Sequence, residues 1–424
     1  MKKIFLYLLV LSNFSIAQDK MQLVNRFNKL CNEKQFFILN REMQKSGEML
    51  DAVHKLYYGA ILDNAFNRPE ASNKTILKLL SEYKNLMTDS MKARLLECRI
   101  NNSVNLFDYK DAAAATDSLF DSYDYLYEKD YKDELMNSGL IWKAASNLQP
   151  QKVTRTADTR IDVNKDMADL SNIGVIINGS SEQFIFDTGA NFSTVSESYA
   201  SKLHLSFLKG NIKVGTSTGI KVESRLAYAK SLIIGNMNFN NVLFLVMPDE
   251  ALSFGGGVYV INGIIGFPVI KEMKEIQLTE NELFVPMNSK SKSVMNLSFD
   301  GFTPLVETVL NSDTLVFVFD TGAKMTMINH PYYEMKKEEI DKNYKQEDIK
   351  IGGAGGEIIV KGFKLDNVIF KVSSSIRELD GVSLLSVSVK ESEEHTFGNL
   401  GSDFTGSFRV MIIDFANMSL EFAD

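Results

Sequence analysis

The chain has 424 residues, of which 45% are hydrophobic and 24% are charged, an ordinary composition for a globular protein. That length accommodates two or three domains. The formal net charge of -8 at pH 7 excludes a protein that binds nucleic acid through a basic surface.

The first 17 residues have the features of a secretory signal peptide. Two lysines precede an apolar run over residues 4–11, and small residues end the segment at Ala17. We therefore expect residues 1–17 to be removed and the mature protein, beginning at Gln18, to be periplasmic or secreted. The alternative is a retained membrane anchor, but the run is short beside the roughly 20 apolar residues that a span needs. No later segment is apolar for long enough, so no stable membrane span is expected after removal of the signal.

Residues 18–148 contain few glycines and prolines, and their apolar residues recur at spacings of three and four, which predicts helices. Examples of this spacing are Ile76, Leu79, Leu80, Tyr83 and Leu86, and also Leu119, Phe120, Tyr123, Leu126 and Tyr127. Segments 64–71 and 105–112 resemble each other at an offset of about 40 residues, a period found in paired-helix arrays such as tetratricopeptide repeats. The pattern predicts an all-α helical array, and an irregular helical bundle is the alternative.

The two cysteines, Cys31 and Cys98, both lie in this helical region. In an exported protein they can form a disulfide, or they can stay as two buried thiols on helices. The sequence leaves both alternatives open, because it does not place the two Cα atoms within bridging distance.

Strand patterns replace the helical pattern after residue 148. Residues 149–165 are polar and aperiodic, which is typical of a linker or of a first edge strand, and we treat them as a linker. From residue 173 onward strands dominate, and Asn178-Gly179 predicts a tight hairpin turn. Residues 296–313 repeat this pattern ahead of a second similar segment.

Two segments of the strand-rich part are near copies of each other, and each carries a carboxylate after a buried-type apolar strand. They are Asp187-Thr188-Gly189-Ala190 and Asp320-Thr321-Gly322-Ala323. One Asp-Thr-Gly alone carries little information. Two in the same context suggest a duplicated unit that brings Asp187 and Asp320 together as the catalytic pair.

A pair of close carboxyl groups has a definite chemistry. Two carboxyls about 3 Å apart share one proton, because both cannot ionise comfortably. The ionised member can take a proton from water, and the protonated member can polarise a carbonyl and then protonate a leaving amine. The glycines, Gly189 and Gly322, permit close approach, and the hydroxyls of Thr188 and Thr321 can link the two loops.

The Asp-Thr-Gly-Ala segments resemble those of the pepsin-like and retroviral-type (retropepsin-like) aspartic proteases, over roughly residues 170–424. Segments 263–267 and 399–404 resemble the apolar-glycine segments that thread behind the two active loops of that family. Segment 408–415 resembles the closing strand of a lobe. The resemblance implies an all-β fold with a first lobe at 166–289 and a second at 290–424. The fold class is therefore multidomain, an N-terminal all-α helical array followed by an all-β two-lobed aspartic protease fold.

Glycine-containing segments at similar offsets after each aspartate resemble the flaps that cover substrate in this family. The candidate substrate-binding residues in them are Gly215, Thr216, Gly219, Gly352, Gly353, Gly355 and Gly356. Two positions depart from the pepsin pattern. Pepsins usually carry Ser or Thr at the positions of Ala190 and Ala323, and alanine there resembles the retroviral type. Val214 stands where the flap tyrosine of pepsins would fall. The lobe disulfides of secreted pepsins are absent, since both cysteines lie elsewhere.

Three other motifs point to different chemistry and are rejected. Residues 215–219 match the Gly-x-Ser-x-Gly elbow of serine hydrolases, but that elbow needs a following helix and residues 220–224 alternate as a strand. Residues 352–356 lack the Lys-Ser/Thr pair and the helix of a phosphate loop. The four histidines lack ligand spacing, so no metal site is predicted.

The sequence thus predicts an exported aspartic endopeptidase that acts on a peptide or protein substrate without cofactor or metal. A monomer suffices for catalysis, because both loops lie in one chain. Residues 18–148 are long and nearly neutral, unlike the short basic prosegments of pepsin-like enzymes, so we expect a targeting or regulatory domain. Two alternatives stay open: a catalytically silent peptide-binding module of the same fold, and an adaptor that works mainly through its helical domain.

Overall fold

The structure is a computed structural model that describes residues 18–215, 221–288, 294–353, 356–389 and 395–424. The described chain begins with helices and continues from residue 152 as a β-rich region with two large sheets. This confirms the predicted fold class, a helical region followed by a β region. The expected signal peptide lies outside the described residues. Among those that are described, no helix is long and apolar enough to cross a membrane.

Seven α-helices occupy the described residues up to 145. They are α1 (18–32), α2 (Phe36–Ser46), α3 (Ala52–Ala65), α4 (Pro69–Glu82), α5 (Asp89–Asn105), α6 (Tyr109–Tyr123) and α7 (Lys129–Ala145). Three of them begin at a side-chain cap, in which Asp51, Thr88 or Asp108 accepts a hydrogen bond from the backbone N–H three residues later. Such caps satisfy donors that the first turn of a helix leaves open, so these residues determine where the helices start.

The helix pairs α4–α5 and α6–α7 repeat each other with an offset of 40 residues, as their starts at Pro69 and Tyr109 show. The turn before each pair contains a residue in the left-handed region, Asn67 (φ 56°) or Phe107 (φ 60°). Segments 64–71 and 105–112 span these turns, but their match is offset by 41 residues, so the helical repeat stays a prediction. The likeness to tetratricopeptide repeats stays a prediction.

The first half of the β region contains thirteen described strands and two short helices. The strands are β1 (Lys152–Arg155), β2 (Thr159–Lys165), β3 (Ser171–Ile177), β4 (Ser180–Phe186), β5 (Ser193–Ser196), β6 (Ser206–Gly215), β7 (Lys221–Ile234), β8 (Met237–Met247), β9 (Ser253–Phe254), β10 (Tyr259–Val260), β11 (Gly263–Ile265), β12 (Glu275–Leu278) and β13 (Glu282–Val285). The helices are α8 (Glu197–Lys202) and α9 (Phe267–Ile270). Strands β9 and β10 form a separate pair, and the others belong to the first sheet.

The second half has twelve described strands and two helices. The strands are β14 (Leu297–Asp300), β15 (Thr303–Leu310), β16 (Asp313–Phe319), β17 (Met327–Ile328), β18 (Glu347–Gly353), β19 (Gly356–Leu365), β20 (Val368–Val372), β21 (Ser375–Leu379), β22 (Val382–Leu385), β23 (Gly398–Leu400), β24 (Val410–Asp414) and β25 (Ser419–Ala423). The helices are α10 (His330–Asn343) and α11 (Ser402–Thr405). Strands β14–β23 form the second sheet, whereas β24 and β25 join the first sheet through the pairing of β24 with β12.

The two sheets contain the same succession of elements. In the first, β4 lies parallel to β11, and β5 runs antiparallel to β11. In the second, β16 lies parallel to β23, and β17 runs antiparallel to β23. A helix and an antiparallel hairpin follow in each case. We call β6–β7 the first hairpin and β18–β19 the second hairpin.

Buried aromatic rings join the two sheets. The ring of Phe267 in α9 lies 4.9 Å from that of Phe299 in β14 and 5.6 Å from that of Phe415, each at a nearly perpendicular angle. Edge-to-face pairs of this kind add stability beyond the area that they bury. Because Phe299 and Phe415 come from the second half of the β region, this cluster fixes the halves against each other.

The segment treated as a linker, residues 149–165, contains two paired strands. Strand β1 pairs with β8, and β2 lies between β13 and β3. In β2 the buried Thr159 and Val163 alternate with exposed polar residues, so its apolar signal is too weak to distinguish it from a linker. Pairing with two neighbours, which the local sequence does not reveal, makes it a strand. The domain boundaries stay predictions.

Polar contacts join the helical region to both sheets. They include Lys34 Nζ to Asp300 Oδ1 (2.8 Å), the Arg41 guanidinium to both carboxylate oxygens of Glu307 (2.8 and 3.0 Å), and Lys271 Nζ to the carbonyl oxygen of Asn105 (2.8 Å). Lys271 is buried, and its ammonium also lies 4.8 Å from the ring centre of Phe107. The carbonyl end of a helix stabilises a nearby cation. Through this contact, Lys271 connects the segment that follows α9 to the end of α5.

Candidate active site

Each aspartate follows directly after a buried strand. The residues before Asp187, in β4, are fully or almost fully buried, and the N–H of Asp187 donates to the carbonyl of Ile265 in the parallel neighbour β11 (3.1 Å). The N–H of Asp320 donates in the same way to Leu400 in β23 (3.3 Å). The strands thereby hold the start of each loop rigid. We call residues 187–192 the first active loop and 320–325 the second active loop.

Backbone donors orient both carboxyl groups. Oδ1 of Asp187 accepts hydrogen bonds from the N–H groups of Gly189 (2.8 Å) and Ala190 (3.2 Å). Oδ1 of Asp320 accepts from the equivalent groups, those of Gly322 (2.9 Å) and Ala323 (3.1 Å). Oδ1 of each carboxyl is thus hydrogen-bonded within its own loop, whereas Oδ2 accepts neither of these bonds.

Four hydrogen bonds between the threonines and the opposite loop join the two active loops. The N–H of Thr188 donates to Oγ1 of Thr321, and the N–H of Thr321 donates to Oγ1 of Thr188, each at 3.0 Å. Each hydroxyl then donates to a carbonyl across the junction, that of Thr188 to Phe319 (3.0 Å) and that of Thr321 to Phe186 (3.1 Å). Both threonines are buried, so every donor and acceptor here needs its partner.

The glycines of the two loops allow the carboxyl groups to approach each other. A Cβ atom on Gly189 would lie 2.5 Å from Cγ of Asp320, and one on Gly322 would lie 2.3 Å from Cγ of Asp187. Both distances are far shorter than a real contact of this kind. Each carboxyl therefore packs against the glycine of the other loop.

This environment changes the acidity of the pair. Burial of the carboxyl group, followed by the charge of Asp320, raises the pKa of Asp187 well above its usual value, against the lowering effect of the N–H groups of Gly189 and Ala190. Some surface of Asp187 still faces solvent, whereas the carboxyl group itself lies deep among protein atoms. A shift in this direction favours the protonated form of the Asp187 carboxyl.

The described flap candidates lie in the two hairpins. Gly215 ends β6 opposite Lys221, while Gly352 and Gly353 of β18 pair with Glu357 and Gly356 of β19. The other candidates, Thr216, Gly219 and Gly355, lie outside the described residues. A role in substrate binding stays a prediction for all of them.

Two supporting hydroxyl groups were not identified from the sequence. Ser193 Oγ accepts from the N–H of Gly266 (3.1 Å), and Thr326 Oγ1 accepts from the N–H of Gly401 (3.0 Å). Thr326 also donates to Asp403 (2.6 Å). Both hydroxyls stand six residues after an aspartate, and an alignment of the two copies position by position would have found them.

Strand β7 follows the Gly-x-Ser-x-Gly match directly, where a serine-hydrolase elbow requires a helix, although Ser217 itself lies outside the described residues. Within the described part of the chain, no group of three His, Cys, Asp or Glu side chains is arranged to hold a metal ion.

Comparison with known proteins adds one finding. Residues 173–269 match the model of the aspartyl protease family, a segment that includes Asp187, the first hairpin and β11 and is less than a quarter of the chain. A comparison with curated proteins found no match. The family match supports protease function of the aspartyl type.

The threonine link gives a first testable prediction. Thr188→Val removes a hydroxyl and leaves the N–H of Thr321 and the carbonyl of Phe319 without partners in a buried place, so we expect a loss of about 1–3 kcal/mol in the free energy of unfolding. Denaturant unfolding of the full chain measures this. Thr314→Val, at an exposed position on β16, is the control and should change stability little. Equal stability of both variants would contradict the buried link.

Proposed function

We propose that this protein is an exported, two-lobed aspartic endopeptidase that hydrolyses peptide bonds with a water activated by Asp187 and Asp320. The observation that carries the proposal is the mutual packing of the two active loops, in which each carboxyl lies against the glycine of the other loop. The threonine bonds between the loops support it, because they fix the separation of the carboxyls. The proposed lobes are residues 166–289 and 290–424.

The proposed reaction needs only the two carboxyls and a water molecule. The ionised carboxyl takes a proton from the water, whose oxygen forms a bond to the carbonyl carbon of the substrate, while the protonated carboxyl donates to the carbonyl oxygen. The tetrahedral diol then collapses: the carboxyl that took the proton from water donates it to the leaving amine, the other carboxylate takes a proton from a diol hydroxyl, and the carbon–nitrogen bond breaks. The carboxyl product forms, and the pair again holds one proton. No covalent bond forms between enzyme and substrate.

An extended peptide is the substrate form that suits the hairpins. Strand β6 ends the first sheet, and β18 ends the second. A peptide lying between the two hairpins can pair with their backbone groups as an added strand. The glycines at 215, 352, 353 and 356 leave space for the substrate backbone beside them.

A digest of a peptide library by the mature chain tests the proposal. We expect cleavage products, and we expect a statine-type transition-state mimic to suppress them. Tight binding of peptides without turnover would instead favour a silent binding module. Capture of a protein partner by the helical region, with neither peptide binding nor turnover, would favour an adaptor. Amino-terminal sequencing of the mature protein tests export, and a first residue other than Gln18 would contradict the proposed signal cleavage.

The raised pKa of Asp187 predicts the pH dependence of turnover. The pKa of Asp187 is higher in the folded chain than in the unfolded chain. The folded chain therefore keeps the shared proton at pH values where an isolated carboxyl, with a pKa of about 4, is ionised. Turnover should therefore persist from mildly acidic to near-neutral pH and decline as the pH rises through the raised value. By the same linkage, this group's contribution to stability falls with rising pH between the two values. A rate that vanishes by about pH 5 would contradict the prediction.

A substitution at Ala323 tests the cause of this pH dependence. In Ala323→Ser the added hydroxyl can donate to the ionised carboxylate and favour it, so the alkaline limb of the rate profile should move to lower pH by about one unit. Ala157→Ser, at an exposed position, should leave the profile unchanged. A shift of the alkaline limb to higher pH in Ala323→Ser would contradict this explanation.

A further inference from the structure

The helix α7 lies along the outer edge of the first hairpin. Strand β6 ends the first sheet and, among the described strands, pairs only with β7, so no described strand lies along its other edge. There the side-chain amide of Asn137 donates through Nδ2 to the carbonyl of Lys213, while its Oδ1 accepts from the N–H of Lys213 (3.2 Å). One side chain of α7 thus replaces the hydrogen bonds that a further strand would supply at this position.

The same helix contacts the first active loop through a stack of aromatic rings. Trp142 is buried, and its ring lies parallel to that of Tyr109 in α6 with the ring centres 6.1 Å apart. The Trp142 ring also stacks on that of Phe192 (5.9 Å), the fifth residue after Asp187. Phe302 contacts Phe192 edge-on at 6.4 Å. The rings therefore connect the helical region to the loop that carries one carboxyl.

The backbone of Phe192 packs tightly beside the site. The backbone of Gly266 packs against the Phe192 carbonyl so closely that a Cβ there would lie 2.4 Å from it, and Phe267 donates to the carbonyl of Ala190 (2.8 Å). Ala190 in turn donates to Asp187. Displacement of the Phe192 ring would therefore reach the carboxyl through three residues of tightly packed backbone.

The second active loop has a different environment at the equivalent position. A Cβ on Gly401 would lie 2.5 Å from the carbonyl carbon of Met325, which makes Met325 the counterpart of Phe192. Yet Met325 is 52% exposed, while Phe192 packs against the core. The helical region thus supports the two loops unequally.

We propose, on the basis of the endopeptidase function above, that α7 is a positioning element of the active site, in which Asn137 holds the first hairpin and Trp142 holds the first active loop. Both are positioning residues, since they act on the site through Lys213 and Phe192. The helical region is then part of the catalytic unit and not only a recruiting module.

The two residues should affect different kinetic constants. Asn137→Ala releases the hairpin that borders the substrate, so KM should rise on the order of fivefold with kcat little changed. Trp142→Leu loosens the loop of Asp187, so kcat should fall on the order of tenfold. This is less than the roughly 100-fold loss in rate that a 1 Å misplacement of reacting groups costs. Trp142→Phe keeps an aromatic ring in the stack and should restore most of kcat. Met136→Ala, at an exposed position of the same helix, should leave both constants unchanged.

Hydrogen exchange of the full chain tests the contacts without relying on turnover. Asn137→Ala should speed exchange of the backbone amides in β6 at least tenfold, whereas Met136→Ala should not. Circular dichroism and the melting temperature show whether each variant is folded. Trp142 is also the single tryptophan of the chain, so its fluorescence reports directly on the loop contact. Binding of a statine-type peptide should change its emission.

The outcomes separate this inference from the endopeptidase proposal. If the wild-type chain cleaves no peptide, the proposed function fails, and the exchange of β6 in Asn137→Ala still decides whether α7 holds the hairpin. If the wild type cleaves peptides but Asn137→Ala keeps its exchange rates and KM, and a folded Trp142→Leu keeps its kcat, the positioning role is overturned. Equal loss of kcat in Trp142→Leu and Trp142→Phe would also contradict it, because only the first removes the aromatic ring.

Discussion

We expect Asp187→Asn and Asp320→Asn each to lower kcat/KM by about 10³-fold or more. A loss of this size equals or exceeds the usual contribution of general acid–base catalysis. An amide cannot exchange the proton that the two carboxyls share, so neither variant can both activate water and protonate the amine. The effect should be similar for the two aspartates, because their loops make equivalent contacts. Turnover of a peptide identified in the library digest measures it.

The fold should survive these substitutions. The amide oxygen of an asparagine can accept the same two backbone hydrogen bonds. Each variant also lacks one ionisable carboxyl, at a buried position where ionisation is unfavourable. At pH 7 we therefore expect stability equal to or above that of the wild type. Asp162→Asn, at an exposed position of β2, is the control and should keep full activity. Undiminished turnover in either active-loop variant would exclude the proposed mechanism, and unfolding of both would favour a purely structural pair.

Gly322→Ala should also abolish most of the activity, for a steric reason. The new methyl group would lie 2.3 Å from both Cγ and Oδ2 of Asp187, and these atoms belong to a carboxyl held by two backbone bonds. Either the loops separate or the carboxyl turns away. We expect kcat to fall on the order of 100-fold, as for other small misplacements of reacting groups, and stability to fall by about 1–3 kcal/mol.

Gly59→Ala provides the control for this substitution. Gly59 lies within α3, and an added Cβ there meets nothing within 4 Å, so the change should raise stability by about 0.5–1 kcal/mol and leave turnover unchanged. Wild-type turnover in Gly322→Ala would mean that the two carboxyls are farther apart than this structure places them.

The positions of the two aspartates could be predicted because their signal is local and doubled. Each copy ends a buried apolar strand in Asp-Thr-Gly-Ala, so strand, turn and carboxyl can all be identified within a dozen residues. The turn at Asn178-Gly179 is equally local, and the structure has both residues in the left-handed region between β3 and β4. Such features need no knowledge of distant partners.

Features that depend on long-range pairing could not be predicted. Strand β24 lies in the segment that resembles the closing strand of a lobe, but nothing in residues 410–414 encodes that β12 lies beside it. The ion pair between Lys34 and Asp300 joins residues 266 positions apart. Likewise, nothing in the sequence around Trp142 indicates that its ring stacks on Phe192 of the first active loop.

The pairing of β24 with β12 has a consequence for how the protein is made. A ribosome completes both aspartates, and every residue of the two active loops, well before it reaches β24 and β25. Until those strands emerge, β12 lacks its neighbour on one side and Phe415 is missing from the aromatic cluster that joins the two sheets. If the proposed function is correct, we therefore expect nascent chains to be inactive although they already carry both proposed catalytic aspartates. The order of translation would then delay peptide hydrolysis without any inhibitory segment.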